Sequence, residues 1–502
     1  MYSFIIGVAA LIVGYLVYGK VSEKVFGIKA GAATPAIRLN DGVDFVPMAG
    51  WKAMLIQLLN IAGTGPIFGA IAGALFGPAA FAWIVLGCIF AGAVHDYMVG
   101  MLSMRNDGTN ISEIVGKYLG KGPLYIMRVF SVVLLIFVGV VFVTTPAQVL
   151  QTMFSPLAEG QKIALLDGDW IGPEKFYIIC IVLIIAYYVL ATLLPIDKLI
   201  GRIYPLFGAC LLIMAVGLMV MMFVTGEITR VPEFAFKNLR PDKDTNVMAH
   251  IFPFLFITIA CGAISGFHAT QSPLMARCVK SEKEGRMVFY GAMILEGVIA
   301  MIWASVTMAH FDVLGKSAAV AAPVIVTKSC TEYMGWVGGL LAVFGVVACP
   351  ITSGDTAFRS ARLSIADALK FNQKPITNRL LIAIPLFIIG VILVLFSLAN
   401  ASNFNIVWRY FSWSNQTLAT IGLWAASAYL AKAGKNFWIT LIPAAFMTVV
   451  VTSYILIAKE GFGRWLGAYY TPCVIAGIVL AVVLFALFIS KIAIKQRGTL
   501  RD

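Results

Sequence analysis

The chain has 502 residues, of which 60% are apolar and only 12% charged, and its mean hydropathy is +0.92. A soluble domain carries about 25% charged residues, so this chain has too little polar surface to be covered by water and its main solvent is lipid. The formal charge of +13 would point a soluble protein toward nucleic acid. Here the basic residues are spread over loops between apolar runs, which the positive-inside rule explains without a nucleic-acid partner.

A crossing helix needs about 20 mostly apolar residues. About thirteen candidates follow in chain order, near 2–18, 51–76, 79–103, 123–153, 175–194, 199–224, 249–273, 284–310, 335–368, 378–400, 404–431, 436–458 and 468–491. The first is read as a membrane helix, because no basic stretch or small-residue cleavage site accompanies it. With the N-terminus outside and the C-terminus inside, the inner loops hold most of the 37 Lys and Arg, including Lys20, Lys24, Lys280 and Lys283. The polar stretch 225–248 then lies outside and 20–50 inside. The eight cysteines form no CxxC pair and read as small buried residues.

Two spans are interrupted. The second breaks at Gly63-Thr64-Gly65-Pro66 and the seventh at 261–268, from Cys261-Gly262 through Ser265-Gly266 to His268. Gly and Pro free backbone groups there, and inside a bilayer such groups survive only where protein or a wet cavity satisfies them. Broken helices at matching places in two halves point to a transporter binding site. The breaks lie five spans apart, so 51–224 and 249–431 form two five-helix halves of opposite topology. An accessory helix and loop, 1–50, precede them, and two accessory helices, 432–502, follow.

The substrate candidates surround the breaks: Asn60, Gly63, Thr64 and Gly65 at the first; Gly262, Ser265, His268 and Gln271 at the second; Asn415 and Gln416 in the eleventh span. The half-helix after Pro66 offers N-terminal N–H groups whose dipole favours an anion such as a substrate carboxylate. A charge at a helix centre costs roughly 2.5–3.5 kcal/mol, so each acid within a span needs a reason. Asp96 and Glu296 stand on counterpart spans of the repeat, where a buried carboxylate either carries a coupling proton or braces the bundle. His95 either pairs with Asp96 or acts with it. Thr352, Ser353 and Asp355 crowd oxygen atoms beside Pro350 and Gly354, a cation or proton site or else a helix end entering the cytoplasm. Arg359 and Arg362 read as the basic rim of that end, and Arg409 and Tyr410 as interface anchors.

The segments Asp41–Pro47, Ala62–Pro66, His95–Tyr97, Cys261–His268, Ser353–Arg359 and Trp413–Gln416 together resemble the carbon starvation protein family, in family order over roughly residues 35–420. The resemblance implies a multi-pass transporter of the cytoplasmic membrane in the amino acid/polyamine/organocation superfamily, an all-α protein with the LeuT-type 5+5 inverted repeat. It implies uptake of peptides or proton-coupled uptake of pyruvate during nutrient limitation. It also implies substrate between the two breaks, with a cation, Na⁺ if not a proton, at Thr352 and Ser353. Lys198 and Arg202 are weaker candidates for a basic group in that place. No cofactor, metal cluster, P-loop or nucleophile–base pair is expected, so an ATP-driven pump and an enzyme are set aside. A membrane nutrient sensor without net transport is the alternative.

Overall fold

Helices account for the regular structure. The computed structural model describes residues 1–42, 45–154, 173–193, 196–235, 237–240, 242–309, 321–373, 375–466 and 469–499. Residues 43–44 of the Asp41–Pro47 segment and the side chains of Lys198 and Arg202 lie outside the described residues. We number the helices α1 Tyr2–Phe26, α2 Gly50–Ile61, α3 Thr64–Ala74, α4 Ala79–Arg105, α5 Ile111–Leu119, α6 Lys121–Phe154, α7 Pro173–Leu193 and α8 Ile196–Val224. They continue as α9 Gly266–Ala276, α10 Glu282–Ala309, α11 Ala322–Leu369, α12 Ile376–Ala399, α13 Ala401–Lys432, α14 Trp438–Ile457 and α15 Tyr470–Thr499.

By length and apolarity, ten of the described helices qualify as membrane crossings, eleven if the bent pair α2–α3 is one span. The protein is therefore a multi-pass membrane protein. Two further expected spans do not qualify by this measure. The 249–273 segment is divided into the turns Ile251–Leu255 and Phe256–Thr258 and then α9, each too short to cross. Helix α13 has 32 residues but is too polar, carrying Arg409, Ser412, Ser414, Asn415, Gln416 and Thr417. The expected start of the ninth span at 335 coincides with a break in the helix at Gly335, and a further helical segment from Ala322 precedes it. Helix α11 covers 48 residues but is not one straight rod. It kinks at Gly335, where φ is +59°, a conformation that glycine tolerates without a side-chain penalty.

Loop contacts sort into two faces. On one, Ser3 bonds Glu233 (2.5 Å), Tyr333 bonds Glu227, Asn238 bonds the Ala249 carbonyl (2.6 Å), and Arg409 pairs with Glu460 (3.2 Å). On the other, Arg105 joins Glu282 (2.8 Å), Tyr429 (2.8 Å) and the Gly27 carbonyl (2.7 Å), and Arg277 bonds the Gly108 carbonyl (3.1 Å). The stretch 225–248 takes part in the first group of contacts and Gly27 of the stretch 20–50 in the second. The segment before α2 is pinned to the end of α9 by Met48 N–H to the Cys278 carbonyl (3.0 Å).

Candidate functional site

The first break bends α2 from α3 by 52° and leaves the carbonyls at the end of α2 without helical partners. Helix α11 supplies substitutes. Ser353 Oγ donates to the Leu59 carbonyl at 3.1 Å, and Cys349 Sγ approaches the Leu59 and Ala62 carbonyls at 3.4 and 3.6 Å. Thr352 Oγ1 bonds its own helix at the Cys349 carbonyl (2.8 Å). The hydroxyls of Thr352 and Ser353 and these carbonyls thus sit together beside the first break.

Helix α13 does the same for the second break. Asn415 Oδ1 accepts from Phe267 N–H (2.7 Å) and Ser265 Oγ (3.1 Å), so it caps the start of α9, while its Nδ2 reaches Cys261 Sγ (3.3 Å). Gln416 Nε2 donates to the Phe256 carbonyl, and the Ile259 carbonyl lies 3.4 Å away. Asn415 and Gln416 therefore hold the break open in addition to bordering it.

The breaks touch. A methyl group built on Gly65 would lie 2.3 Å from Cys261 Sγ, and one on Gly262 would lie 3.9 Å from Pro66 Cα. Across them stands the Phe142 ring of α6, against Gly63 and edge-on to Phe267 with centroids 5.9 Å apart.

Next to this contact lies a chain of four ionisable side chains, each fully buried. His95 Nδ1 is 2.8 Å from Asp96 Oδ1, His268 Nδ1 is 2.7 Å from Asp96 Oδ2, and His268 Nε2 is 3.2 Å from Glu296 Oε2. Helices α4, α9 and α10 each contribute. Donor atoms of Cys261, His268 and Glu296 lie within 4.8 Å of one another. The imidazole of His268 already stands between two carboxylates, so the convergence reads as a place to hold protons. Several buried polar atoms near the breaks have no partner: Asn60 Oδ1, Thr64 Oγ1, Gln271 Oε1 and both polar atoms of Gln57. Buried polar groups are rarely left so, and in a carrier they are the atoms a substrate or ion would satisfy.

The match to known proteins can be set against this geometry. The family model described as carbon starvation protein CstA matches residues 1–166, 160–340 and 313–454. The chain belongs to the carbon starvation protein CstA family. A membrane protein of Haemophilus influenzae is 48% identical over 62% of this chain and 92% of its own length. The peptide transporter CstA of Campylobacter jejuni is 28% identical over 89% of this chain and 79% of its own. The pyruvate/proton symporter BtsT of Escherichia coli is 26% identical over 60% of this chain, which covers 48% of that protein. Among solved structures, a manganese transporter of Eremococcus coleocola superposes with a TM-score of 0.53 at 12% identity, over 91% of this chain and 99% of that one. At that identity the likeness shows a shared fold alone.

In this CstA-family chain, then, the sequence candidates divide. Asn60, Gly63, Thr64, Gly65, Gly262, Ser265, His268, Asn415 and Asp96 with Glu296 gather at or beside the paired breaks. Asp355 stands apart from that chain of ionisable groups, its Oδ2 3.8 Å from Arg359. Arg359 and Arg362, read as a basic rim, are packed within the protein at 8% and 5% exposure. Helix α11 continues past them to Leu369, so their guanidiniums find the Ala191 carbonyl (3.0 Å) and Gln373 (3.1 Å). Arg409 and Tyr410 hold Glu460 beyond α14. Gln57 and Cys261 were not singled out. Gln57 precedes Asn60 by three residues, a spacing that puts both on one helix face, and Cys261 opens the second break.

Proposed function

We propose that this protein is a secondary active transporter of the cytoplasmic membrane that imports a small carboxylate-bearing nutrient, pyruvate or a short peptide, by proton symport during nutrient scavenging. The observation that carries the proposal is the contact between the two breaks, lined by unpartnered buried polar atoms. Helices that break at mid-membrane and meet are the usual frame of an alternating-access site. The names of the Campylobacter jejuni and Escherichia coli relatives support the substrate classes.

In this reading 51–224 and 249–431 are the two halves of a LeuT-type 5+5 inverted repeat within about thirteen crossings, N-terminus outside and C-terminus inside. Substrate lies between the breaks, with its carboxylate at the N-terminal N–H groups of α3 and its remaining contacts at Asn60, Thr64, Ser265, Gln271, Asn415 and Gln416. Thr352 and Ser353 are the alternative Na⁺ ligands, and Asp355 is an alternative coupling acid.

The test is uptake of labelled pyruvate and dialanine into proteoliposomes of the purified protein under imposed proton or Na⁺ gradients. The reading predicts accumulation of one of them under the proton gradient. Binding without flux of either would replace it with the sensor reading.

A further inference from the structure

We propose that His95, Asp96, His268 and Glu296 act as one proton relay, running from the paired breaks toward the face that carries Arg105 and Glu282. This deepens the symport reading and rests on it.

The four side chains form an alternating series of imidazole and carboxylate, with neighbouring atoms at 2.8, 2.7 and 3.2 Å. His268 is its middle member. An imidazole between two carboxylates can accept a proton at one nitrogen and release another from the opposite nitrogen, so the charge passes while the ring stays in place. Both carboxylates ionised with both imidazoles neutral would place two negative charges in a fully buried setting, a costly arrangement. Two added protons neutralise it. Among the described residues no lysine or arginine pairs with any of the four. The other titratable groups near them are the thiols of Cys261 at the second break, within 4.8 Å of His268 and Glu296, and of Cys88 on α4 and Cys349 on α11, which are directed at the Met293 carbonyl and at the Leu59 and Ala62 carbonyls. Protons are therefore the charge carriers at hand.

A terminal atom at each end of the series lacks a hydrogen-bond partner, which separates it from a static brace. At one end Glu296 Oε1 has no partner, close to Cys261 and hence to Gly65 of the first break, while Oε2 meets His268 Nε2 at 3.2 Å as an ion-pair contact and not as an aligned hydrogen bond. At the other end His95 Nε2 is also unpartnered. It faces α13 at Gly422, where an added methyl would lie 2.9 Å from it. From His95, the face of α4 continues at helical spacing through Val99 and Ser103. Ser103 Oγ donates to the Thr109 carbonyl (2.9 Å), and Thr109 lines a cleft of about 470 Å³ with Asp107, Asn110, Arg277, Asp367 and Lys370. In a purely structural network the terminal atoms would be satisfied.

The relay is also tied to the moving part. His268 sits in the first turn of α9, directly after the second break. Any rotation of α9 against α4 and α10 changes the 2.7 and 3.2 Å contacts together, so closure of the breaks on substrate and continuity of the relay are one event. Asp355, 3.8 Å from Arg359 on its own helix, takes no part.

The experiment compares two readouts in proteoliposomes of the full chain, with labelled pyruvate and dialanine as probes. One is exchange of internal for external substrate at equal pH. The other is accumulation driven by an inward proton gradient. Glu296→Gln is expected to keep exchange, lose its pH dependence, and fall to the level of protein-free liposomes in accumulation. Accumulation equal to that of the natural chain overturns the relay. So does loss of both readouts in a protein that elutes as a single folded species, which makes the four residues a brace. Should Glu296→Gln not fold, Asp96→Asn and His268→Gln are read by the same criteria, and if all three fail to fold the brace interpretation stands in place of the relay. Uncoupling by Asp355→Asn, with Glu296→Gln unaffected, moves the coupling acid to α11 and also overturns it. If the natural chain neither exchanges nor accumulates either probe, the transport reading falls and the relay with it.

Discussion

Asn415 shows how much of this site consists of side chains repairing broken backbone. Its amide satisfies Phe267 N–H, Ser265 Oγ and Cys261 Sγ. Asn415→Leu removes these partners within a buried site, where each unsatisfied group costs about 1–3 kcal/mol. Thermal unfolding in detergent is expected to shift downward clearly. Ser353→Ala removes one donor from Leu59, worth about 0.5–1.5 kcal/mol, and its shift is expected to be the smaller of the two. At this scale the sequence was informative wherever a residue was expensive. Asp96, Glu296 and His268 stand out because charge is rare in apolar runs. Their union was not legible, since Asp96 and His268 are 172 positions apart and nothing local to either names the other. Cys261 was passed over because a thiol in an apolar run reads as filler.

Among elements, the two broken helices were legible from Gly and Pro alone, and the bend between α2 and α3 follows from them. What they touch was not. The contact between Gly65 and Cys261 leaves no room for a side chain at residue 65. Gly65→Ala is expected to destabilise the protein by about 1–3 kcal/mol through overpacking and to reduce transport. Adding Cys261→Gly should restore part of the loss, because the two positions share one space. Strictly additive effects in melting and uptake would mean the breaks do not meet as described. The ninth span's expected start at 335 falls on the break at Gly335, whereas the helical segment from Ala322 that precedes it was not expected, although Pro323 in its first turn is a start signal. Helix α13 marks the opposite limit. Its polar residues lower its hydropathy below that of a lipid-facing span, and those same residues hold the second break.

For the whole molecule, the site is closed. Asn60, Thr64, Asp96, His268 and Glu296 are at most 3% exposed, so substrate reaches them only when helices move. One seam is the ring contact between Phe68 of α3 and Trp408 of α13, with centroids 6.1 Å apart. Cysteines at both positions, joined by a short thiol cross-linker, are expected to stop uptake, and cleavage of the linker to restore it. Unchanged uptake after complete cross-linking would mean that this seam does not open. Proton symport as proposed would be sufficient for scavenging. One proton moving down about 100 mV supplies roughly 2.3 kcal/mol, enough for about a 50-fold gradient at about 1.4 kcal/mol per factor of ten.

The most direct measurement is proton entry caused by substrate. Proteoliposomes carrying a pH-reporting dye, with equal pH on both sides and potassium permeability to prevent charge build-up, receive pyruvate or dialanine from outside. Symport predicts acidification of the lumen that starts with substrate addition, saturates with its concentration, and is absent without protein. Substrate uptake with an unchanged lumen pH, or uptake that requires Na⁺ instead, would contradict proton symport.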